Sequence, residues 1–303
     1  MIAVVGATGY IGGLLARHLA EGGEEVAALA RHPERAEDLA AAGCELRTAD
    51  VLEPETLGPA LEGAKVAYFL VHAMGRGGDA DFAQREQDGA RNFARAAAAA
   101  GVKRIVYLGG LGSGSAHLNS RHATAVTMRA GEVPVAYYRA AAVIGAGSES
   151  FRTVYYLVRR LPAMVTPKWT TVRTQPIAVK DVITDLAAAT DLMLPLDREI
   201  QIGGPDITTY GGMIDELAAA MDRRPPLRVT VPVLTPRLSS LWVGLVTPVD
   251  TGVARPLIEG LSHETVVADP SGMEALPARA RIALDQALRE AVEEIAEEKA
   301  GRD

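Results

Sequence analysis

The sequence predicts an α/β fold built on a doubly wound parallel sheet, and three observations lead to this prediction. Short runs of β-branched residues alternate with helical patterns up to Gly147, which is typical of β-α-β units. A glycine-rich turn joins the first strand to the first helix. The 303 residues are 48% hydrophobic and 23% charged, so the chain can bury a large core.

Six strands and five helices are predicted in this first part. The predicted strands are Ile2–Val5, Glu25–Leu29, Cys44–Thr48, Val66–Val71, Arg104–Leu108 and Val135–Arg139. The helices between them are Ile11–Glu21, Pro33–Ala42, Pro54–Leu61, Asp81–Ala100 and Ser120–Ala130. Two of these helices begin with proline, a residue favoured in the first turn. Right-handed crossovers then favour the usual doubly wound strand order.

The pattern changes after Gly147. An aromatic amphipathic helix begins near Phe151, and a strand leads into a helix near Gln175–Val182. A further strand, a further helix, a proline-rich connector over 225–236 and a final helix over 276–299 follow. We therefore predict a nucleotide-binding domain over 1–147 and a small, split substrate-binding lobe over 148–303 that also returns strands to the sheet. Two apolar stretches, Val154–Val158 and Leu238–Val249, favour an apolar wall on the lobe's side of the crevice; the alternative for the aromatic residues of the first stretch, which have helical spacing, is a place in the core.

Composition excludes several classes of function. A net charge of −7 argues against nucleic acid as a partner, because phosphate neutralisation needs a basic face. Cys44 is the single cysteine and the six histidines show no ligand spacing, so neither a disulfide framework nor a metal site is predicted. The longest apolar stretch is too short and interrupted to cross a bilayer, and the N-terminus does not resemble a signal peptide. These features predict a cytoplasmic protein.

The turn "GATGYIG" places glycines at Gly6, Gly9 and Gly12, between an apolar strand and a helix. The first glycine allows a tight turn, the second lets the backbone approach a pyrophosphate, and the third lets the helix pack close to the strand. The helix N-terminus adds free N–H groups and a partial positive charge. We predict a nucleotide site formed by these glycines and by the residues between and beside them, which are Thr8, Tyr10 and Ile11.

The end of the second strand predicts which nucleotide is bound. Arg31 stands where an NAD site usually has an acidic residue that binds the ribose hydroxyls, and Arg35 follows one helical turn later. Guanidinium groups form strong charge-assisted bonds with a 2′-phosphate. NADP(H) is therefore predicted in preference to NAD(H); the alternative is that both arginines form a solvated face.

The glycine spacing G-x-x-G-x-x-G resembles that of the extended and atypical short-chain dehydrogenase/reductase superfamily, above all its NmrA-like group. The chain also resembles a bacterial subgroup that is often labelled nucleoside-diphosphate-sugar epimerase. The resemblance covers nearly the whole chain. Its further segments are Asp50-Val51, "AYFLVHAMG", "VPVAYYRAAAVIGAGS" and "QPIAVKDV". It implies a Rossmann fold with cofactor contacts from Asp50, Val51, Leu70 and Val71. For Asp50, a cap of the helix at Pro54 is the alternative.

Active members of this superfamily use a tyrosine as acid, a lysine four residues later and a serine after the fifth strand. The aligned positions here are His117, Arg121 and either Gly109 or Gly110. The resemblance thus implies an altered catalytic set, in which Arg121 can anchor ribose or phosphate but keeps its proton. His72, after the fourth strand, is a second candidate proton donor besides His117. The alternatives are a backbone-bonded histidine for His72 and an exposed one for His117.

Three functions remain open. The first is an NADP(H)-dependent oxidoreductase acting on a small apolar carbonyl or quinone, with His72 or His117 replacing the tyrosine. The second is a non-catalytic NADP(H)-binding sensor of the NmrA kind, and the third is a nucleotide-sugar epimerase. The alanine-rich "ARNFARAAAAAG" permits close packing between copies, so a homo-oligomer is also allowed.

Overall fold

The structure is a computed structural model that describes residues 1–71, 79–166, 168–230 and 263–300. The strands, in chain order, are β1 Ile2–Val5, β2 Val26–Ala30, β3 Glu45–Thr48, β4 Val66–Phe69, β5 Arg104–Gly110, β6 Val135–Ala140, β7 Val143–Ile144, β8 Ala163–Thr166, β9 Arg173–Thr174, β10 Ile177–Ala178, β11 Glu199–Ile202, β12 Thr208–Thr209 and β13 Leu227–Thr230.

The helices lie between these strands and after them. In chain order they are α1 Tyr10–Glu21, α2 Glu37–Ala41, α3 Pro54–Leu61, α4 Asp79–Ala99, α5 Ala116–Arg129, α6 Glu149–Arg160, α7 Val179–Ala187, α8 Tyr210–Ala220, α9 Ser271–Glu274 and α10 Leu284–Ala300. Short 3₁₀ turns occupy Pro33–Ala36, Lys168–Thr171 and Ala188–Thr190.

Seven parallel strands form the central sheet, in the order β11-β6-β5-β4-β1-β2-β3. Helices cover both faces, as parallel sheets require. One face packs on α1 and α7, with Leu15 and Leu186 fully buried, and the other packs on α3 and α4, with Leu57 and Phe93 fully buried. The predicted doubly wound α/β fold is confirmed.

A third core lies in the second part of the chain, where α6, α8 and α10 pack together. Phe151, Tyr155 and Tyr156 are buried in it, and Leu288 of α10 is fully buried beside them. The apolar stretch Val154–Val158 therefore belongs to this core, and the prediction that it walls the crevice is wrong. The other stretch predicted for that wall, 238–249, lies outside the described residues.

Some predicted elements differ in their bounds. Helix α5 begins at Ala116 instead of Ser120, because the Ser115 hydroxyl accepts a hydrogen bond from the Leu118 N–H and caps the helix earlier. The predicted helix 33–42 is a 3₁₀ turn followed by the short α2. Inside the predicted proline-rich connector, β13 pairs in parallel with β8.

Strand β11 returns from the second part of the chain and pairs with β6 at one edge of the central sheet. Because all seven strands are parallel, the loops that follow them meet at one edge. The strand order changes direction at β1, which lies between β2 and β4: β2 and β3 follow on one side of β1, and β4, β5 and β6 follow on the other. Ligands of such sheets bind at this switch point.

Neither a helix long and apolar enough to cross a membrane nor a metal-binding group of three or more His, Cys, Asp or Glu side chains occurs in the described part of the chain.

Candidate active site

The glycine turn after β1 is shaped by two glycines that other residues cannot replace without a shift. Gly6 has a φ of +87°, and a Cβ built on it would lie 2.7 Å from the Leu70 carbonyl oxygen of the neighbouring strand end. A Cβ on Gly12 would collide with the Gly6 carbonyl oxygen. Gly12 thus lets α1 pack directly on the turn, as predicted for the third glycine.

Gly9 has a different role. Its φ of −84° suits any residue, and among the described residues a Cβ there would meet only the Gly6 oxygen, at 3.2 Å. Within the part of the chain that the structure describes, the space beside Gly9 is therefore open toward the α1 N-terminus. Helix α1 has no side-chain cap and no acidic residue in its first turn, so its first N–H groups face that space without a helical partner. This arrangement fits a bound pyrophosphate.

The side chains around this turn divide into two groups. Thr8 is exposed and Ile11 is half-buried beside the open space. Tyr10, by contrast, packs its ring against Gly147, and burial raises the pKa of its hydroxyl to about 12 although a hydrogen bond with the Gly147 backbone opposes this. Tyr10 thus faces the β7–α6 connection with its side chain.

Arg31 and Arg35 lie after β2, the strand that pairs with β1 beside the glycine turn. Both side chains are exposed, and neither has an ion pair or a side-chain hydrogen bond with any residue that the structure describes. Between them, His32 Nδ1 lies 3.2 Å from Glu34 Oε1, so this acidic residue is paired locally. Two guanidinium groups therefore stand available to an anionic ligand.

Asp50 and Val51 follow β3 at the same edge. The Asp50 carboxylate accepts a hydrogen bond of 2.9 Å from the Leu52 N–H, and the Asp50 N–H donates to Thr56 Oγ1 at 3.0 Å. Asp50 thus shapes the turn before α3, whose N-cap residue is Glu53. The alternative of a direct cap for α3 is wrong, and the predicted contact of Asp50 with the cofactor stays a prediction.

The end of β4 borders the turn directly. The Leu70 N–H donates to the Val5 carbonyl oxygen at 2.9 Å, and its own carbonyl faces Gly6. Leu70 and Val71 are both half-buried. His72, the next residue and a predicted proton donor, lies outside the described residues.

At the end of β5, neighbouring side chains take up the space beside Gly109 and Gly110, the two residues that the resemblance aligns with a serine. A Cβ on Gly109 would lie 2.8 Å from Tyr137 Cε2 and 2.9 Å from the Tyr137 hydroxyl oxygen. A Cβ on Gly110 would collide with Leu118. The lining at this point therefore comes from the side chains of Tyr137 and Leu118, and neither glycine contributes a hydroxyl.

Arg121, at the lysine position, is held by the protein. Its Nη2 donates to the Leu108 carbonyl oxygen, and its guanidinium carbon lies 5.4 Å from the centre of the Tyr107 ring. Burial raises the pKa of the Tyr107 hydroxyl, and the Arg121 charge opposes that rise. His117 lies in the first turn of α5, but its side chain lies outside the described part of the structure.

Two residues to which the sequence analysis assigned no role in the site, Arg139 and His263, contact the loop after β5. Arg139 donates from Nε to the Gly110 oxygen at 3.1 Å and from Nη2 to the Gly112 oxygen, and Nη1 lies 2.8 Å from Glu199 Oε1. His263 packs on Gly114, where a Cβ would lie 2.7 Å from its Cε1. The signal that the sequence offered was the pair of closely spaced glycines at 112 and 114, and in the structure both have φ above +90°.

Comparison with solved structures gives the same fold with low sequence identity. The Citrobacter sp. triphenylmethane reductase complexed with NADP(H) is 21% identical over 96% of this chain and 99% of that one, with a TM-score of 0.76. A nucleoside-diphosphate-sugar epimerase from Staphylococcus aureus is 14% identical over 95% and 99%, with a TM-score of 0.77. The UDP-glucuronic acid 4-epimerase of Bacillus cereus with NAD is 15% identical over 98% and 99%, with a TM-score of 0.72.

None of the curated proteins compared with the chain matches it. The family model described as NAD(P)H-binding matches residues 6–174, which is more than half of the chain and begins at the first glycine of the turn. The glycine turn, the open helix N-terminus and the doubly wound sheet agree with that match. The chain therefore belongs to the NAD(P)H-binding family.

Proposed function

We propose that this protein is an NADPH-dependent reductase of a small apolar carbonyl compound or quinone. The observation that carries the choice of nucleotide is the pair Arg31 and Arg35, both exposed and without an ion-pair partner among the described residues. A 2′-phosphate would give these guanidinium groups charge-assisted hydrogen bonds. An NAD site would instead favour a carboxylate at the end of β2.

The lining at the end of β5 supports an apolar substrate. The ring of Tyr137 and the side chain of Leu118 take up the space at Gly109 and Gly110, so the surface there is mostly apolar, with the Tyr137 hydroxyl as a polar group. A sugar diphosphate would leave many polar groups without partners in such a place. The likeness to a reductase of triphenylmethane dyes, at 20% identity and a TM-score of 0.76, supports the same class.

Each group of residues has its own role in the proposed reaction. The Gly6–Gly12 turn and the α1 N-terminus bind the pyrophosphate, and Arg31 and Arg35 bind the 2′-phosphate. When bound, the reduced nicotinamide supplies a hydride. Arg121 supplies a fixed positive charge beside β5 and keeps its proton, so the proton must come from another group. Among the residues predicted from the sequence, His72 and His117 can supply it.

A sensor that binds NADPH without turnover is the second candidate. Two observations favour the sensor. Gly109 and Gly110 supply no hydroxyl, and the Arg121 Nη2, which could otherwise anchor a ribose, donates to the Leu108 carbonyl oxygen. Acid–base catalysis contributes about 10²–10⁴-fold to rate, so its loss would leave binding intact and turnover negligible.

The test measures NADPH binding and NADPH oxidation on the same preparation. Nucleotide binding is measured by fluorescence titration, and oxidation is followed at 340 nm with aldehydes, ketones, quinones, a triphenylmethane dye and nucleotide sugars. We expect oxidation with the apolar compounds and none with the nucleotide sugars. Tight NADPH binding without oxidation of any compound would support the sensor, and conversion of a nucleotide sugar without net NADPH loss would support an epimerase.

A further inference from the structure

The short segment His263–Val267 of the second part of the chain lies on the loop that follows β5. Its position is fixed by backbone hydrogen bonds: the Thr265 N–H donates to the Arg173 oxygen at 3.1 Å, and the Gln175 N–H donates to the Thr265 oxygen at 2.9 Å. The Val267 N–H also donates to the Gln175 side chain at 3.0 Å. His263 is therefore presented by an anchored backbone.

Two glycines of the loop after β5 receive this segment. Gly112 has a φ of +94°, and a Cβ on it would lie 3.0 Å from the Glu264 oxygen. Gly114 has a φ of +99°, and a Cβ there would lie 2.7 Å from Cε1 and 2.8 Å from Nε2 of His263. The imidazole therefore packs on the backbone of Gly114, in space that any other residue at 114 would fill.

This contact lies at the carboxyl edge of the sheet. Gly114 is in the loop that follows β5, and β5 pairs with β4, whose end faces Gly6 of the phosphate turn. The His263 side chain is half-buried, so part of the imidazole stays accessible. The adjacent Glu264 is paired with Arg173 at 3.1 Å and so has a partner other than the imidazole.

We propose that His263 is the proton donor of this reductase and faces the substrate from the second part of the chain; this inference rests on the proposed function. The imidazolium donates a proton to the carbonyl oxygen while the carbonyl carbon accepts the hydride supplied by NADPH. The carbonyl π pair becomes the O–H bond of the alcohol, and the imidazole recovers its proton from water. One hydride and one proton are consumed for each alcohol formed.

The choice of donor follows from side-chain chemistry. An arginine at position 121 keeps its proton at neutral pH, and glycines at 109 and 110 have none to give. Histidine can donate a proton near neutral pH. Among the described residues, the His263 imidazole packs on the loop after β5 itself, whereas His122 is exposed on α5 with its ring 6.1 Å from that of Tyr137.

The experiment compares His263→Gln with the parent chain, using 4-nitrobenzaldehyde and phenanthrenequinone as substrates. His18→Gln is the matched control, because His18 is exposed near the opposite end of α1. We expect kcat to fall about 10²-fold or more in His263→Gln, with the NADPH Kd unchanged within twofold and His18→Gln like the parent. His263→Asn is the second variant should His263→Gln lose NADPH binding.

A readout independent of turnover uses protein labelled with ¹³C at histidine Cε1. The His263 signal is identified by its absence from the His263 variants, and NADP⁺-saturated protein is titrated with 4-nitrobenzyl alcohol. We expect the His263 signal to shift with the alcohol and the His18 signal to stay in place.

Three outcomes would overturn the proposal: full kcat in the His263 variants, an unmoved His263 signal at saturating alcohol, or loss of turnover in His72→Gln or His117→Gln alone. Failure of the reductase function is seen separately, as NADPH binding without any oxidation by the parent chain. That result would remove the donor role together with the reaction.

Discussion

Arg31 is the residue on which the preference for NADPH depends most directly, because it stands where an acidic residue would select NAD. We expect Arg31→Ala to raise the Kd for NADPH about 10- to 100-fold, which corresponds to about 1–3 kcal/mol for a charge-assisted hydrogen bond. The Kd for NADH should change little. Fluorescence titration with both nucleotides measures this, with Arg95→Ala, an exposed arginine on α4, as the control. Equal parent affinities for the two nucleotides would contradict the assignment.

Gly9 and Gly12 have different requirements, and two substitutions separate them. Gly9→Val is compatible with the backbone angle of Gly9 and fills the open space beside α1, so we expect nucleotide binding to be lost while the melting temperature stays near that of the parent. Gly12→Val should instead lower the melting temperature, because its Cβ collides with the Gly6 oxygen. A nucleotide-dependent rise in the melting temperature of Gly9→Val would show that phosphate binds elsewhere.

At the scale of elements, the pair Arg139–Glu199 connects β6 with β11 and holds the loop after β5. Burial raises the pKa of Glu199, but the hydrogen bond and the charge of Arg139 outweigh it, so the pKa is lowered from its usual 4.5. A carboxyl with a lowered folded-state pKa stabilises the fold above its unfolded pKa, and this stabilisation is lost as the pH falls through the folded value.

We therefore expect Glu199→Gln to cost about 1 kcal/mol of unfolding free energy at pH 7, since Arg139 then loses a charged partner. The difference from the parent should shrink as the pH falls below about 4.5 and Glu199 becomes protonated. Urea unfolding at several pH values measures it. An unchanged difference at pH 3 would mean that the ion pair is not its cause.

Sequence reasoning predicted the elements whose signals are local. The Gly6–Gly12 turn could be predicted as a nucleotide site because its glycines, its strand and its helix are adjacent in the chain. Arg31 could be predicted as a ligand of the nucleotide because it follows the next strand directly. The contact of His263 with Gly114 and the bonds of Arg139 to the loop could not, because each joins segments far apart in the chain. Val154–Val158 was misassigned because an apolar helix face does not tell whether it meets a core or a crevice.

At the scale of the whole molecule, a buried ionic cluster connects α7 to the chain that leads into α10. The Asp185 carboxylate accepts hydrogen bonds of 2.8 Å from both Arg279 and Arg281. Asp181 accepts from Arg279 and, at 2.9 Å, from the Ile282 N–H. Both aspartates are only 2% exposed. Since α7 packs on α1, this cluster joins the third core to the nucleotide-binding half.

Removing Asp185 should therefore destabilise the whole molecule. Asp185→Ala leaves Arg281, 14% exposed, without its charged partner and leaves Arg279, 24% exposed, paired with Asp181 alone. Because breaking a buried ion pair costs about 3–5 kcal/mol and the two guanidinium groups can be partly hydrated, we expect a loss of about 3 kcal/mol in the free energy of unfolding.

Urea unfolding measures this loss, with Asp38→Ala as the control. The pair of Asp38 with Arg17 is exposed and should contribute less than about 1 kcal/mol. Equal losses in the two variants would contradict a role for this cluster in joining the two halves. A single unfolding transition that moves as a whole would support it, because a local role would split the transition in two.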